Sequence, residues 1–120
     1  MKMTPRLAAI YGHLRDETIY LNESVNSIGR QLSNDIILDD PRASREHCLI
    51  RNVGQQYVIE DLQSANGTYV NGERVTEKSL TEGSLIQVGA SRFLFRLQEF
   101  EGFLTLSRTP VERQKQPIAA

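Results

Sequence analysis

Thr68-Tyr69-Val70-Asn71-Gly72-Glu73-Arg74-Val75 decides the fold. Asn-Gly takes positive φ readily, which a two-residue hairpin turn demands at both central positions. The arms on either side are short, and Thr68-Tyr69-Val70 is β-branched and aromatic, so the run reads as a β-hairpin. The reading also has a consequence for chemistry: the preceding loop, with Asn66, sits at the far end of its strand from the turn.

The same pattern repeats outward from this hairpin. Thr18-Ile19-Tyr20-Leu21 clusters β-branched and aromatic types, and Tyr57-Val58-Ile59 is a short apolar run before Glu60-Asp61. Phe93, Phe95 and Leu97 alternate with Arg92, Leu94, Arg96 and Gln98, a period of two that turns one face inward. Further strands are expected at residues 7–11, 25–28, 36–38, 47–51 and 85–88. Turn signals separate them, among them Asn22-Glu23, Ser33-Asn34-Asp35, Asp40-Pro41, Asn52-Val53-Gly54, Glu82-Gly83 and Gly89-Ala90. No apolar 3.6-residue period persists beyond about two turns. Many short strands at close spacing make an all-β sandwich or barrel. Residues 1–6 read as a flexible leader, 7–98 as the domain and 99–120 as a tail or linker. In that tail, Thr109-Pro110 and Gln114-Lys115-Gln116-Pro117 lack alternation.

At 120 residues the chain accommodates one domain with its own core. Hydrophobic residues at 39% and charged residues at 24% suit a globular domain. A net charge of −1 supplies no global field for nucleic acid or an anionic membrane, so any anion site must be local. Arg30, Arg42 and Arg45 are interspersed with Asp35, Asp39, Asp40 and Glu46, which argues against a nucleic-acid surface. Cys48 is the only cysteine, which excludes an intramolecular disulfide and a thiolate zinc site; within Cys48-Leu49-Ile50 it reads as a small buried hydrophobe. No run approaches the ~20 apolar residues of a membrane helix, and the start does not resemble a secretory signal. A cytoplasmic protein is the expectation.

Polar groups with binding chemistry gather at predicted loops. Arg30 follows Gly29 as the chain leaves a strand, where a guanidinium can present a planar fork to a phosphate or simply be solvated. Ser44 lies in a loop between Arg42 and Arg45. Its hydroxyl can donate to a phosphate oxygen or bond nearby backbone. The Asn66 carboxamide can donate to one backbone carbonyl of a bound peptide and accept from an amide, and Asn66-Gly67 can equally be a plain turn. Ser44, His47 and Asp61 nominally offer a hydrolytic set. On an extended run, however, Ser44 and His47 would face opposite sides about 10 Å apart, and no G-x-S-x-G elbow is present. His13 and His47 lie in unrelated segments, so no metal site is expected, and His47 reads as a prop for its loop.

Taken in order, Gly29-Arg30, Ser44-Arg45-Glu46-His47, Asp61-Leu62, Ser64, Asn66-Gly67-Thr68, Asn71-Gly72, Gly83 and Gly89 resemble the forkhead-associated (FHA) domain, a phosphothreonine-peptide binding module. The resemblance covers residues 7–97. It implies a two-sheet antiparallel β-sandwich of about eleven strands, with a peptide site formed by three loops at one end. By this similarity Arg30 and Ser44 contact the phosphate, Arg45 adds charge, and Asn66 holds the peptide main chain. Gly29, His47, Gly67 and Thr68 are structural supports. Arg42 matches a position that in some members reads the side chain three residues after the phosphothreonine, and a guanidinium there implies an acidic preference. Ala65 departs from the pattern, since many members carry Ser or Thr there as a further phosphate donor; Ser64 is then the substitute hydroxyl on the peptide side. Preference for phosphothreonine over phosphoserine is likewise implied by the family.

The resemblance implies a binding module that is not an enzyme and needs no cofactor. Its partner would be a phosphothreonine protein with a Ser/Thr kinase upstream, without nucleic-acid or membrane contact. The layout is also similar to the amino-terminal part of bacterial signalling proteins, including transcription activators. The alternative is a phosphate-independent protein–protein or self-association module using a sheet face, with Leu94 or Phe103 exposed. A third reading makes the chain itself a kinase substrate at Thr4-Pro5 or Thr109-Pro110, docking on an Arg30 site.

Overall fold

The computed structural model describes residues 3–99, which form eleven strands. They are β1 (Met3–Tyr11), β2 (Thr18–Tyr20), β3 (Val25–Gly29), β4 (Ile36–Ile37), β5 (Cys48–Val53), β6 (Gln56–Asp61), β7 (Thr68–Val70), β8 (Glu73–Val75), β9 (Glu77–Leu80), β10 (Leu85–Val88) and β11 (Ser91–Glu99). One sheet has the order β2-β1-β11-β10-β7-β8 and the other β4-β3-β5-β6-β9. The two pack face to face as a β-sandwich.

Alternation explains the core. In β11 the side chains of Phe93 and Phe95 are fully buried, whereas Arg92 between strand neighbours is exposed. Leu7, Ile28, Ile50, Ile59 and Ile86 close the same core from five other strands. Tyr57 of one sheet meets Phe95 of the other with ring centroids 5.7 Å apart. Each such side chain taken from water stabilises the fold by about 1.5–3 kcal/mol. Cys48 is wholly enclosed, and burial pushes its thiol up to about 12.

The β7–β8 hairpin forms as expected, with φ of 53° at Asn71 and 86° at Gly72. Asn71 also anchors the turn to β10: its Oδ1 accepts from the Leu85 N–H at 2.9 Å. Between β3 and β4 the pairing is parallel, with Ile28 opposite Ile36. The cause is local. Asp35 folds back on Ser27, accepting from its N–H at 2.9 Å, so the chain resumes beside β3 in the same direction.

Two expectations are corrected. Residues 3–6 are not a leader: β1 begins at Met3, opposite Glu99, and Thr4 and Pro5 pair with Gln98 and Leu97. Pro5 cannot donate, but its carbonyl accepts from the Leu21 N–H at 3.1 Å. The Thr4-Pro5 motif therefore lies within a strand. The second correction adds β9, whose Glu77, Lys78 and Ser79 are exposed and carry no apolar alternation. It is an edge strand held to β6 by its backbone, where charged side chains oppose further pairing. Phe103 and Thr109-Pro110 lie outside the described residues. Among the described residues no helix is long and apolar enough to cross a membrane.

Candidate functional site

Three loops converge at one end of the sandwich: residues 30–35 after β3, 38–47 before β5, and 62–67 before β7. Backbone bonds join the first two, from the Arg30 N–H to the Ser44 carbonyl (3.0 Å) and the Gln31 N–H to the Arg45 carbonyl (3.1 Å). Buried Asn34 adds a third link, donating from Nδ2 to the Arg45 carbonyl at 2.8 Å. The third loop is tied in through side chains. Ser44 Oγ accepts from the Ala65 N–H (3.0 Å), and Asn66 Nδ2 donates to the Arg42 carbonyl (2.8 Å).

His47 is the fully buried post between the loops. Its Nδ1 accepts from the Ser44 N–H at 3.0 Å. That leaves Nε2 as the proton-bearing nitrogen, which donates to the Gly67 carbonyl at 2.8 Å. The separation of about 10 Å expected between Ser44 and His47 is thus wrong. Residues 44–47 turn instead of extending, and the imidazole meets the Ser44 main chain. The hydroxyl faces Ala65, so no serine–histidine nucleophile pair forms.

Below the third loop lies Asp61. It accepts from Ser64 Oγ (2.6 Å), Thr68 Oγ1 (2.7 Å) and the Ser64 N–H (3.1 Å). Burial opposes its ionisation, but these hydrogen bonds and the nearby His47 outweigh it and hold the carboxyl below its usual range. Ser64 Oγ in turn accepts from the Gly67 N–H at 3.0 Å. Ser64 is buried and saturated by these partners, which corrects its assignment to the peptide side: it shapes the loop from within. Asp40 performs a similar task elsewhere. It accepts from the Arg42 N–H (2.9 Å) and the Ala90 N–H (2.6 Å), fastening the second loop to the β10–β11 turn. Burial again works against the charge, and the two backbone donors with Arg42 and His47 lower its pKa overall.

Arg30, Gln31, Ser44, Arg45 and Glu46 line an open cavity of about 500 Å³. Arg30 Nε is fixed to the Ala43 carbonyl at 2.9 Å, which orients the guanidinium and leaves its terminal nitrogens without a partner among the described residues. Ser44 Oγ has an acceptor role filled by Ala65, so its proton remains for an outside acceptor. Asn66, bound once to Arg42, keeps its carbonyl oxygen and one N–H. The structure therefore groups Arg30, Ser44 and Arg45 on one cavity and binds Asn66 and Arg42 beside it. Such a cleft suits an oxyanion attached to an extended chain. The bracing residues Asn34 and Asp40 were not anticipated as site residues; turn composition marked their positions, but no local signal identified their long-range partners. Among the described residues no cluster of three or more His, Cys, Asp or Glu side chains is placed to hold a metal ion.

Comparison with known proteins agrees with this architecture. The FHA domain family model matches residues 26–89. The chain is 41% identical over 75 residues to an oxoglutarate dehydrogenase inhibitor of Corynebacterium jeikeium, covering 62% of this chain and 52% of that protein. It is 40% identical over 75 residues to the glycogen accumulation regulator GarA of Mycolicibacterium smegmatis, covering 62% of this chain and 48% of the relative. The chain thus spans about half the length of the curated relatives it matches. A solved structure described as a structural and functional analysis of phosphothreonine-dependent FHA domain interactions superposes with a TM-score of 0.74 at 35% identity, over 81% of this chain and 99% of the other. With loops, sheets and family model in agreement, the chain belongs to the FHA domain family.

Proposed function

We propose that this chain is a phosphopeptide-binding module that recognises phosphothreonine in a partner protein. It would recruit or regulate that partner downstream of a Ser/Thr kinase. The observation that carries the reading is the pairing of Arg30 and Ser44 on one cavity, each held by an internal bond and each left with a donor that meets no acceptor among the described residues. Arg30 supplies a planar fork, Ser44 a hydroxyl proton, and Arg45 a second positive charge. Asn66 holds the peptide main chain, and Arg42 lies beside it for a residue following the phosphothreonine. Gly29, His47, Gly67, Thr68 and Ser64 support these groups without touching the ligand. The reading is of binding, not catalysis.

A phosphate near neutral pH carries about −1.5 to −2 charges and three acceptor oxygens. Hydrogen bonds to charged groups contribute roughly 1.5–3 kcal/mol each. After the cost of ordering a peptide, this corresponds to affinity on the order of micromolar. The test is calorimetry with a phosphothreonine peptide selected from a degenerate library, using phosphoserine and unphosphorylated forms as controls. Arg30→Ala is expected to weaken binding by about 2–4 kcal/mol in a folded protein. Equal affinity for phosphorylated and unphosphorylated peptides overturns the reading.

A further inference from the structure

Arg74 lies on β8, opposite Tyr69, one strand away from the loop that carries Asn66. Its side chain crosses Gly67, the residue next to Asn66. A Cβ built on Gly67 would stand 2.6 Å from Arg74 Nε and 2.9 Å from Cζ, so glycine is what lets the guanidinium settle there. Gly67 has φ of 89° and is buried beneath this cover, although Arg74 itself is exposed.

Among the described residues Arg74 has no ion pair and no side-chain hydrogen bond. The surface arginines Arg51 and Arg96, by contrast, hold Glu60 and Glu77, and Glu82. The contact with Gly67 is made by Cδ, Nε and Cζ of Arg74. The terminal guanidinium donors remain, beside the carboxamide proposed to hold the peptide main chain.

We propose that Arg74 forms a second subsite, which takes the carboxylate of an acidic residue in the bound phosphopeptide. This inference rests on the phosphopeptide reading above. A peptide anchored by its phosphate at Arg30 and by its main chain at Asn66 passes the edge of the 62–67 loop, where Arg74 is the adjoining cation. The subsite differs from the one assigned to Arg42, whose backbone carbonyl accepts from Asn66 Nδ2.

The test uses arrayed phosphothreonine peptides, each with its unphosphorylated counterpart, in which each flanking position in turn is Glu or Ala, titrated by fluorescence polarisation. Wild type, Arg74→Gln and Arg42→Gln are compared, with thermal unfolding to show that each is folded. Gln keeps most of the stem over Gly67 and removes the charge. One position is expected where Glu-to-Ala weakens wild-type binding about three- to fivefold, the range of an exposed ion pair. That ratio is expected to fall to about one in Arg74→Gln and to persist in Arg42→Gln. A ratio unchanged in Arg74→Gln at every position overturns the subsite while leaving the phosphate reading intact. Loss of all phosphate dependence in wild type overturns both.

Discussion

His47 Nε2 lies 2.8 Å from the carbonyl oxygen of Gly67, twenty positions later, and this one bond joins two of the three loops of the site from inside the protein. Because Nδ1 of the same ring accepts from the Ser44 N–H, the imidazole fixes the Ser44 main chain and the Asn66-Gly67 turn simultaneously. A fully buried side chain thereby sets the spacing between Ser44 and Asn66, the residues proposed to hold the phosphate and the peptide main chain.

His47→Ala is accordingly expected to act at two levels. It leaves the half-buried Ser44 N–H and the buried Gly67 carbonyl without partners and opens a void, costing about 2–4 kcal/mol of stability. Chemical denaturation measures that loss. Phosphopeptide affinity should also fall at a temperature where the variant is fully folded, because Ser44 and Asn66 lose their common support. A folded variant with wild-type affinity would show that the loops hold their spacing without the ring.

Gly29→Ala tests the joint between the first two loops. Gly29 has no positive φ, so the constraint is space alone: an added Cβ collides with the Arg45 carbonyl oxygen and stands 2.8 Å from Asn34 Nδ2. Either the Asn34–Arg45 bond breaks or the 38–47 loop moves. Overpacking of this kind costs about 1–3 kcal/mol, read as a lowered unfolding midpoint, together with weaker phosphopeptide binding. Gly83→Ala is the contrast. It meets nothing within 4 Å but has φ of 85°, so backbone strain should lower stability without altering affinity.

These residues show which parts of the molecule were legible in the sequence. Period-two alternation in β11 and the Asn71-Gly72 turn are local signals, and both elements stand where they were expected. Where local signals were weak, the reading failed. Pro5 masked the first residues of β1, and the polar strand β9 lacks any buried stripe because it owes its place to backbone pairing with β6. The site followed the same division. Arg30, Ser44 and Asn66 stood out as donors in loops, whereas the compact turn at residues 44–47 is imposed by His47 bonding back to Ser44. That contact becomes visible only once Gly67 is brought against the ring.

Ala65 offers a gain-of-function test. Its N–H donates to Ser44 Oγ and its side chain is exposed, so residue 65 borders the hydroxyl assigned to phosphate. Ala65→Thr places a further hydroxyl there. Affinity for the phosphothreonine peptide should rise by about 0.5–1.5 kcal/mol, the net contribution of one added hydrogen bond. Binding of the unphosphorylated peptide should not change. Titration of both peptides decides it, and an equal rise for both would place the new hydroxyl against something other than phosphate.

Acid should separate binding from folding, because the two depend on different groups. The second ionisation of a phosphothreonine has a pKa near ~6, so affinity is expected to fall as pH drops from about 7 to 5, while the protein stays folded. Asp40 and Asp61 govern the lower range. Each has a folded pKa below its ordinary value of 3.8, since backbone and hydroxyl donors overcome the effect of burial. For a depressed pKa, the linked stability is fully present above the unfolded value and is lost as pH falls through the folded one. Thermal midpoints should therefore be insensitive to these two groups above about pH 5 and decline below about pH 4. Asp61→Asn should flatten part of that decline and lower stability near neutral pH by about 1–3 kcal/mol, because the amide nitrogen in place of Oδ2 cannot accept from the Ser64 N–H and the bonds from Ser64 Oγ and Thr68 Oγ1 to Oδ1 lose their charge. If the variant's midpoint fell below pH 4 as steeply as the wild type's, Asp61 would not contribute to the acid transition, and Asp40 would be the carboxylate to vary next.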